Sequence, residues 1–101
     1  MDILGQSFAW DEAKRAANLA RHGLDFIDAT ALFDGRPGVT FPSPRGNEAR
    51  FLTTGRLGAV FVTLVWTERS EAIRLISFRR ARDAETRAYR ARHGDRGRGD
   101  A

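Results

Sequence analysis

Ile73-Arg74-Leu75-Ile76-Ser77-Phe78-Arg79-Arg80-Ala81-Arg82 decides how this chain is read, because an apolar strand there runs straight into an arginine-studded helix. Nine of the sixteen arginines lie between Arg74 and Arg98. The first 35 residues set Lys14, Arg15 and Arg21 against six acids, whereas residues 72–101 sum to +5 of the overall +4. A guanidinium keeps its charge at every accessible pH and meets phosphate oxygens with two parallel hydrogen bonds. Charge gathered at one end in this way points to a polyanionic partner met by that end. Lysine supplies one of the seventeen basic residues, a bias that GC-rich coding also produces, but coding bias does not explain the clustering.

Working outward, the run Ala59 to Thr67 is rich in β-branched and aromatic residues and predicts a central strand. A hairpin over Glu68–Glu71 joins it to a strand over Ile73–Phe78. Arg50–Thr54 and Val39–Phe41 predict two further strands, separated from their neighbours by a Gly55–Gly58 turn and by the three prolines and glycines of 36–47. Upstream, Phe8-Ala9-Trp10 reads as a short extended segment and Asp11 as the N-cap of a first helix. In that helix alanines 13, 16, 17 and 20 and Leu19 form an apolar stripe, and Gly23 supplies a left-handed stop. A second helix runs from Asp25 to Phe33, and a last one covers about Arg82 to Arg92 with alanines 81, 84, 88 and 91 as a small-residue seam. The expected architecture is an α+β domain over residues 1–93: two N-terminal helices, about four antiparallel strands and one C-terminal helix. Residues 94–101 are expected to form a mobile tail.

At 101 residues, 42% hydrophobic, the chain suffices for one domain with a modest core. No stretch approaches the roughly 20 apolar residues that cross a bilayer, and a cytoplasmic location without membrane contact is expected. There is no cysteine, and two distant histidines do not make a zinc site; neither a metal nor a cofactor is expected.

Arg79 and Arg80 are the first candidates for phosphate contact. In a regular strand Arg79 shares a face with Ile73, Leu75 and Ser77, while Arg74 lies opposite with Ile76 and Phe78. The competing reading pairs these arginines with Asp83, Glu85 and Glu48 as surface ion pairs. Lys14, Asn18 and His22 recur at four-residue spacing on one helix face, where they offer a cation, an amide and an imidazole. Equally, His22 serves the helix C-terminus and Asn18 a backbone group. Glu48 and Arg50 form either a general base beside a phosphate clamp or a cross-strand ion pair. Tyr89 stacks on a base or caps the core, and Trp10 and Trp66 read as core residues.

Taken together, Phe8-x-Trp10-Asp11-x-x-Lys14-x-x-x-Asn18-x-x-x-His22-Gly23-x-x-Phe26 resembles the opening signature of BrnT-type toxins of bacterial type II toxin–antitoxin systems. Glu48-x-Arg50-Phe51, Gly55-Arg56, Arg74-x-Ile76-Ser77-x-Arg79-Arg80-Ala81, and Glu85 with Tyr89 resemble that family's later motifs in the same order. Phe78 stands where the family usually has a small residue, and Arg82 where it has a threonine cap, which leaves Asp83 as the expected cap of the last helix. The resemblance implies a RelE-like fold and a ribonuclease that slows growth. It also implies a BrnA-like antitoxin with a ribbon-helix-helix part, a heterotetramer of two toxins and two antitoxins, and operator DNA met only through the antitoxin. RNA, free or on the ribosome, is the implied substrate. The expected reaction is metal-independent cleavage by the neighbouring 2′-hydroxyl. Arg79, Arg80 and Arg50 then stabilise the phosphorane, Glu48 or His22 acts as base, the other or Lys14 acts as acid, and Lys14, Arg74, Arg82 and Tyr89 hold RNA. A rival reading keeps the basic surface without catalysis, as a module that holds RNA or the antitoxin. Direct DNA binding is disfavoured, since no helix-turn-helix is recognisable.

Overall fold

In a computed structural model that describes residues 7–43 and 48–94, the chain forms three α-helices and five strands. In order these are β1 (Ser7–Ala9), α1 (Glu12–His22), α2 (Phe26–Ala29), a 3-10 turn (Thr30–Phe33), β2 (Gly38–Ser43), β3 (Arg50–Leu57), β4 (Val60–Arg69), β5 (Ala72–Arg80) and α3 (Asp83–His93). Of the tail expected at 94–101, residues 95–101 lie outside the described residues.

The strands form one mixed sheet in the order β1-β5-β4-β3-β2, with β4 in the centre as its composition requires. This corrects the expected sheet of about four antiparallel strands. The three-residue β1 joins as a fifth strand, parallel to β5, with Phe8 opposite Ile73. So short a segment has no periodicity to betray it, and its pairing depends on a partner more than sixty residues away. The second helix is also shorter than expected, because after Ala29 the chain tightens into the 3-10 turn. Strand β3 continues through Gly55 to Leu57, and the reversal falls at Gly58, whose φ of 64° suits a residue without a Cβ. Gly55 instead admits the 3-10 turn: a Cβ there would come within 2.9 Å of the Leu32 side chain.

One sheet face carries the core. Val62, Leu64, Leu75, Phe78 and Ile73 pack there against Phe26, Ala29 and Leu32. Phe26, Phe78, Leu64 and Leu75 are essentially inaccessible to solvent. Each such burial contributes roughly 1.5–3 kcal/mol. A file of rings closes the rim, with Phe33 edge-on to Trp66 at 5.3 Å and Phe51 tilted over it at 4.9 Å. The Trp66 indole N–H donates to the Thr53 hydroxyl at 2.8 Å, so its polar edge is satisfied.

A β-bulge in β5 fixes which side chains reach which face. Val65 pairs with Ser77 but Trp66 pairs with Leu75, leaving Ile76 as an extra residue. Phe78 therefore rejoins Ile73 and Leu75 on the core face, and its bulk fills the interior. Arg74, Ser77 and Arg79, paired with Thr67, Val65 and Thr63, share the opposite face. This overturns the expectation for a regular strand, in which Arg74 and Arg79 lie on opposite sides.

Helix α1 starts on Asp11, whose carboxylate accepts from the N–H groups of Ala13 and Lys14. Its alanine stripe does not pack: Ala13, Ala16, Ala17 and Ala20 are exposed and Leu19 is 43% exposed. Its one buried residue is Asn18. That amide donates to the carbonyls of Phe78 (2.8 Å) and Leu24 (3.0 Å) and accepts from the Phe78 N–H (3.0 Å). Since β1 pairs with β5 no further than Arg74, Asn18 stands in for a neighbouring strand at Phe78. Arg15 and Asp25 form a two-point ion pair that fastens α1 to the start of α2 and lowers the Asp25 pKa.

Replacing Asn18 with Ala strands two buried backbone groups of β5 and is expected to cost about 2–4 kcal/mol in chemical denaturation. Asn18→Asp sets a carboxylate against two carbonyls. It should be more damaging at pH 7 and partly recover below pH ~4, where the protonated acid donates again.

Candidate active site on the open sheet face

Among the described residues, the face opposite the core is only half covered. Helix α3 lies across β2 and β3 at one end, where Tyr89 is buried edge-on to Phe61 at 5.2 Å. At the other end the sheet is open, and a hollow of about 280 Å³ is lined by Ser43, Arg50, Leu52, Val65, Ile76, Ser77, Arg79 and Arg82. Three arginines from three separate elements thus share one cavity: β3 supplies Arg50, β5 supplies Arg79, and the turn into α3 supplies Arg82.

They are not equivalent. Arg79 is half-buried, and its two terminal nitrogens donate to the two oxygens of Glu85 at 2.8 and 2.9 Å. Glu85 also accepts from the Thr63 hydroxyl (2.9 Å) and the Arg82 N–H (2.8 Å), while Thr63 shares a further hydrogen bond with Thr54 at 2.7 Å. The carboxylate therefore ties β4, β5 and the start of α3 together. Glu85, rather than the expected Asp83, satisfies the first free N–H of that helix; Asp83 is already its first residue. The Arg79 guanidinium, foremost among these donors, pulls the Glu85 pKa down to about 2. Arg79 thus combines the two roles the sequence held apart, lining the hollow while paired with an acid.

Arg50 is the freer donor: its Nε–H is buried and has no hydrogen-bond partner among the described residues. An unsatisfied buried donor is costly, roughly 1–3 kcal/mol, unless a ligand supplies the acceptor. Arg82 is exposed at the rim.

Glu48 precedes β3 and is held by Arg69 through contacts of 3.2–3.4 Å. Arg69 lowers its pKa, helped by the charges of Arg50 and Arg74. Arg74 is half-buried on the same face as Arg50, across Thr67. Arg80 projects from the opposite face and is exposed. Lys14 and His22 stand beside Arg21 around a second hollow, about 260 Å³, on the far side of the β5 edge; Ile76 and Ser77 line both cavities. Tyr89 borders a separate space with Arg36 and Arg56. The structure therefore groups Arg50, Arg79 and Arg82, sets Glu48 and Arg74 on their flank, places Lys14 and His22 across the bulge, and keeps Arg80 and Tyr89 apart.

Arg21 is not among the residues expected from the sequence, although its seven-residue step from Lys14 puts it on the same helix face and it lines the second hollow. The Arg69–Glu48 pair spans 21 positions and leaves no local signal. Among the described residues no group of three metal-ligating side chains occurs, and no helix is long and apolar enough to cross a membrane.

The folded-state pKa of Glu85 lies below the ordinary value of 4.5, so its stabilising contribution is complete above that pH and is lost as pH falls toward about 2. Glu85→Gln is expected to lower stability by about 1–2 kcal/mol at pH 7, allowing for solvent screening, with the gap to wild type narrowing between pH 5 and 2 in parallel denaturant titrations.

Comparison with curated proteins gives no significant match. Residues 10–85, which carry the first helix, the Glu48–Arg50 segment, the bulged strand and Glu85, match the family described as the ribonuclease toxin BrnT of type II toxin–antitoxin systems. With that match spanning most of its length, the chain belongs to the BrnT ribonuclease toxin family.

Proposed function

We propose that the arginine hollow binds the scissile phosphate of RNA and that cleavage proceeds by attack of the adjacent 2′-hydroxyl, without a metal. The carrying observation is the convergence of Arg50, Arg79 and Arg82 on one cavity, with the Arg50 Nε–H unpartnered. As the 2′-oxygen bonds to phosphorus, negative charge grows on the non-bridging oxygens, and preorganised guanidinium donors stabilise it. Arg50 supplies the free donor. Arg79, fixed by Glu85, supplies position more than net charge, and Arg82 closes the rim.

Glu48 is the base in this reading: its depressed pKa keeps it ionised at neutral pH on the flank shared by Arg50 and Arg74. His22, with Lys14 beside it across the bulge, protonates the departing 5′-oxygen, whose bond to phosphorus breaks as the cyclic phosphate forms. Arg74 and Arg21 extend the basic track for flanking phosphates, and Arg80 and Tyr89 have no part at the reacting phosphate. The toxin's partner is an antitoxin of ribbon-helix-helix type, in an assembly of two toxins and two antitoxins that meets operator DNA through the antitoxin.

Replacing Arg79 and Arg80 together is a poor test, because losing Arg79 leaves Glu85 unpaired. Arg50→Ala is cleaner: kcat on RNA should fall about 10²–10³-fold with little change in thermal midpoint. Wild-type cleavage by this variant would remove the assignment. If the wild-type chain binds RNA with steep salt dependence yet yields no cyclic-phosphate product, the non-catalytic reading prevails.

For Glu48, the Gln variant should lose about 10²-fold or more in kcat while still binding RNA. Arg69→Ala removes the main influence that depresses the Glu48 pKa. The acidic limb of the pH–rate profile should then move upward toward the ordinary carboxylate range; an unmoved limb excludes Glu48 as the base.

A further inference from the structure

Beside the arginine hollow lies a surface that catalysis does not use. Between α3 and the outer strand β2 the structure has two adjoining clefts, of about 500 and 310 Å³. Both are lined by Phe41 and Ala88, and Ala91 and Ala84 extend the floor. The small-residue seam of α3 therefore forms the wall of an open groove. Phe41 is 53% exposed, the most exposed of the large apolar side chains described, and among the described residues its strand pairs on one side only. An apolar ring left in water at an unpaired sheet edge marks a surface that a partner covers.

Charge around the groove defines that partner. Arg92 lines one end; at the other, the Glu85 carboxylate lines the cleft but is taken up by Arg79, and Leu52 is shared with the hollow that holds Arg50, Arg79 and Arg82. An occupant that fits brings apolar side chains for the floor and carboxylates for Arg92 at one end and for Arg50 and Arg82 beyond Leu52 at the other. Toxins of this family belong to two-component toxin–antitoxin systems, which makes the antitoxin the partner to place on this surface. We infer that an extended, acidic and apolar segment of the antitoxin lies along β2 in this groove and crosses Leu52 to cap the arginine hollow. The inference rests on the ribonuclease-toxin reading, but not on the choice of base or acid. Neutralisation then needs no rearrangement of the toxin: the segment fills space that RNA enters, and its carboxylates take up the guanidinium donors.

The test uses the antitoxin co-expressed with the toxin from its own operon. Phe41→Asp and Ala91→Arg are compared with Leu19→Arg, which alters the exposed apolar face of α1. Phe41→Asp and Ala91→Arg should each weaken the complex at least about 10-fold, and together more than about 100-fold, as charge set into an interface core does. Both free variants should cleave RNA at the wild-type rate and melt near the wild-type temperature, and Leu19→Arg should leave affinity unchanged. Wild-type affinity in the double variant overturns the inference, as does loss of affinity confined to Leu19→Arg, or failure of wild-type toxin and antitoxin to associate. Reduced RNA cleavage with intact antitoxin affinity also overturns it and gives the groove to RNA. RNA cleavage by the free wild-type toxin is read separately, so failure of the nuclease reading is recognised on its own.

Discussion

One extra residue in β5 governs most of what this molecule presents to its surroundings. Without the bulge at Ile76, Arg79 would sit on the face of Ile73 and Leu75, and its charge would have to be buried among Phe26 and Leu64. With it, Phe78 enters the core and Arg79 emerges beside Arg50 and Thr63. The bulge also falls where β1 has ended, so Phe78 offers both backbone groups to Asn18 rather than to a strand. The edge of β5 is left narrow enough for Ile76 and Ser77 to border cavities on both sides. A local irregularity at a sheet margin thus sets the core, the docking of α1 and the basic hollow at once.

The Glu85 carboxylate then makes the hollow rigid. Four hydrogen bonds from three elements converge on it, so Arg79 is held in one orientation before any ligand arrives. Such preorganisation has a cost, since a guanidinium already paired with a carboxylate has less charge to offer a phosphate. Arg50 differs, because its buried Nε–H has no hydrogen-bond partner among the described residues. The division is between an arginine that shapes the site and one that stays available to it.

Much of this was legible beforehand. The composition of β4 marked it as central, Asp11 and Gly23 marked the ends of α1, and the arginine-rich junction marked two of the three arginines that line the hollow. What the sequence hid was relational. A bulge has no residue signature here, and odd spacing between Arg74 and Arg79 argued for the wrong pair of faces. The alanine stripe of α1 has helical period but little side chain to bury, and the helix turns on Asn18 instead. Glu85 and Arg79 are six positions apart across a strand–helix turn, so their two-point contact needs the turn's geometry and not a periodic rule. Arg80 and Tyr89 stand in the same motifs, yet the fold places both away from the hollow.

The central claim is that RNA phosphate occupies the space between Arg50, Arg79 and Arg82. It is tested most directly by following the arginine Nε–Hε resonances during titration with a short RNA carrying 2′-deoxyribose at the scissile position, which binds without being cut. With phosphate seated there, the Arg50 signal shifts first and furthest, with the Ser77 and Ile76 amides following, while that of Arg80 stays near its starting position. Saturating shifts confined to Arg80, or to Arg36 and Arg56 near Tyr89, with Arg50 unmoved, would contradict it.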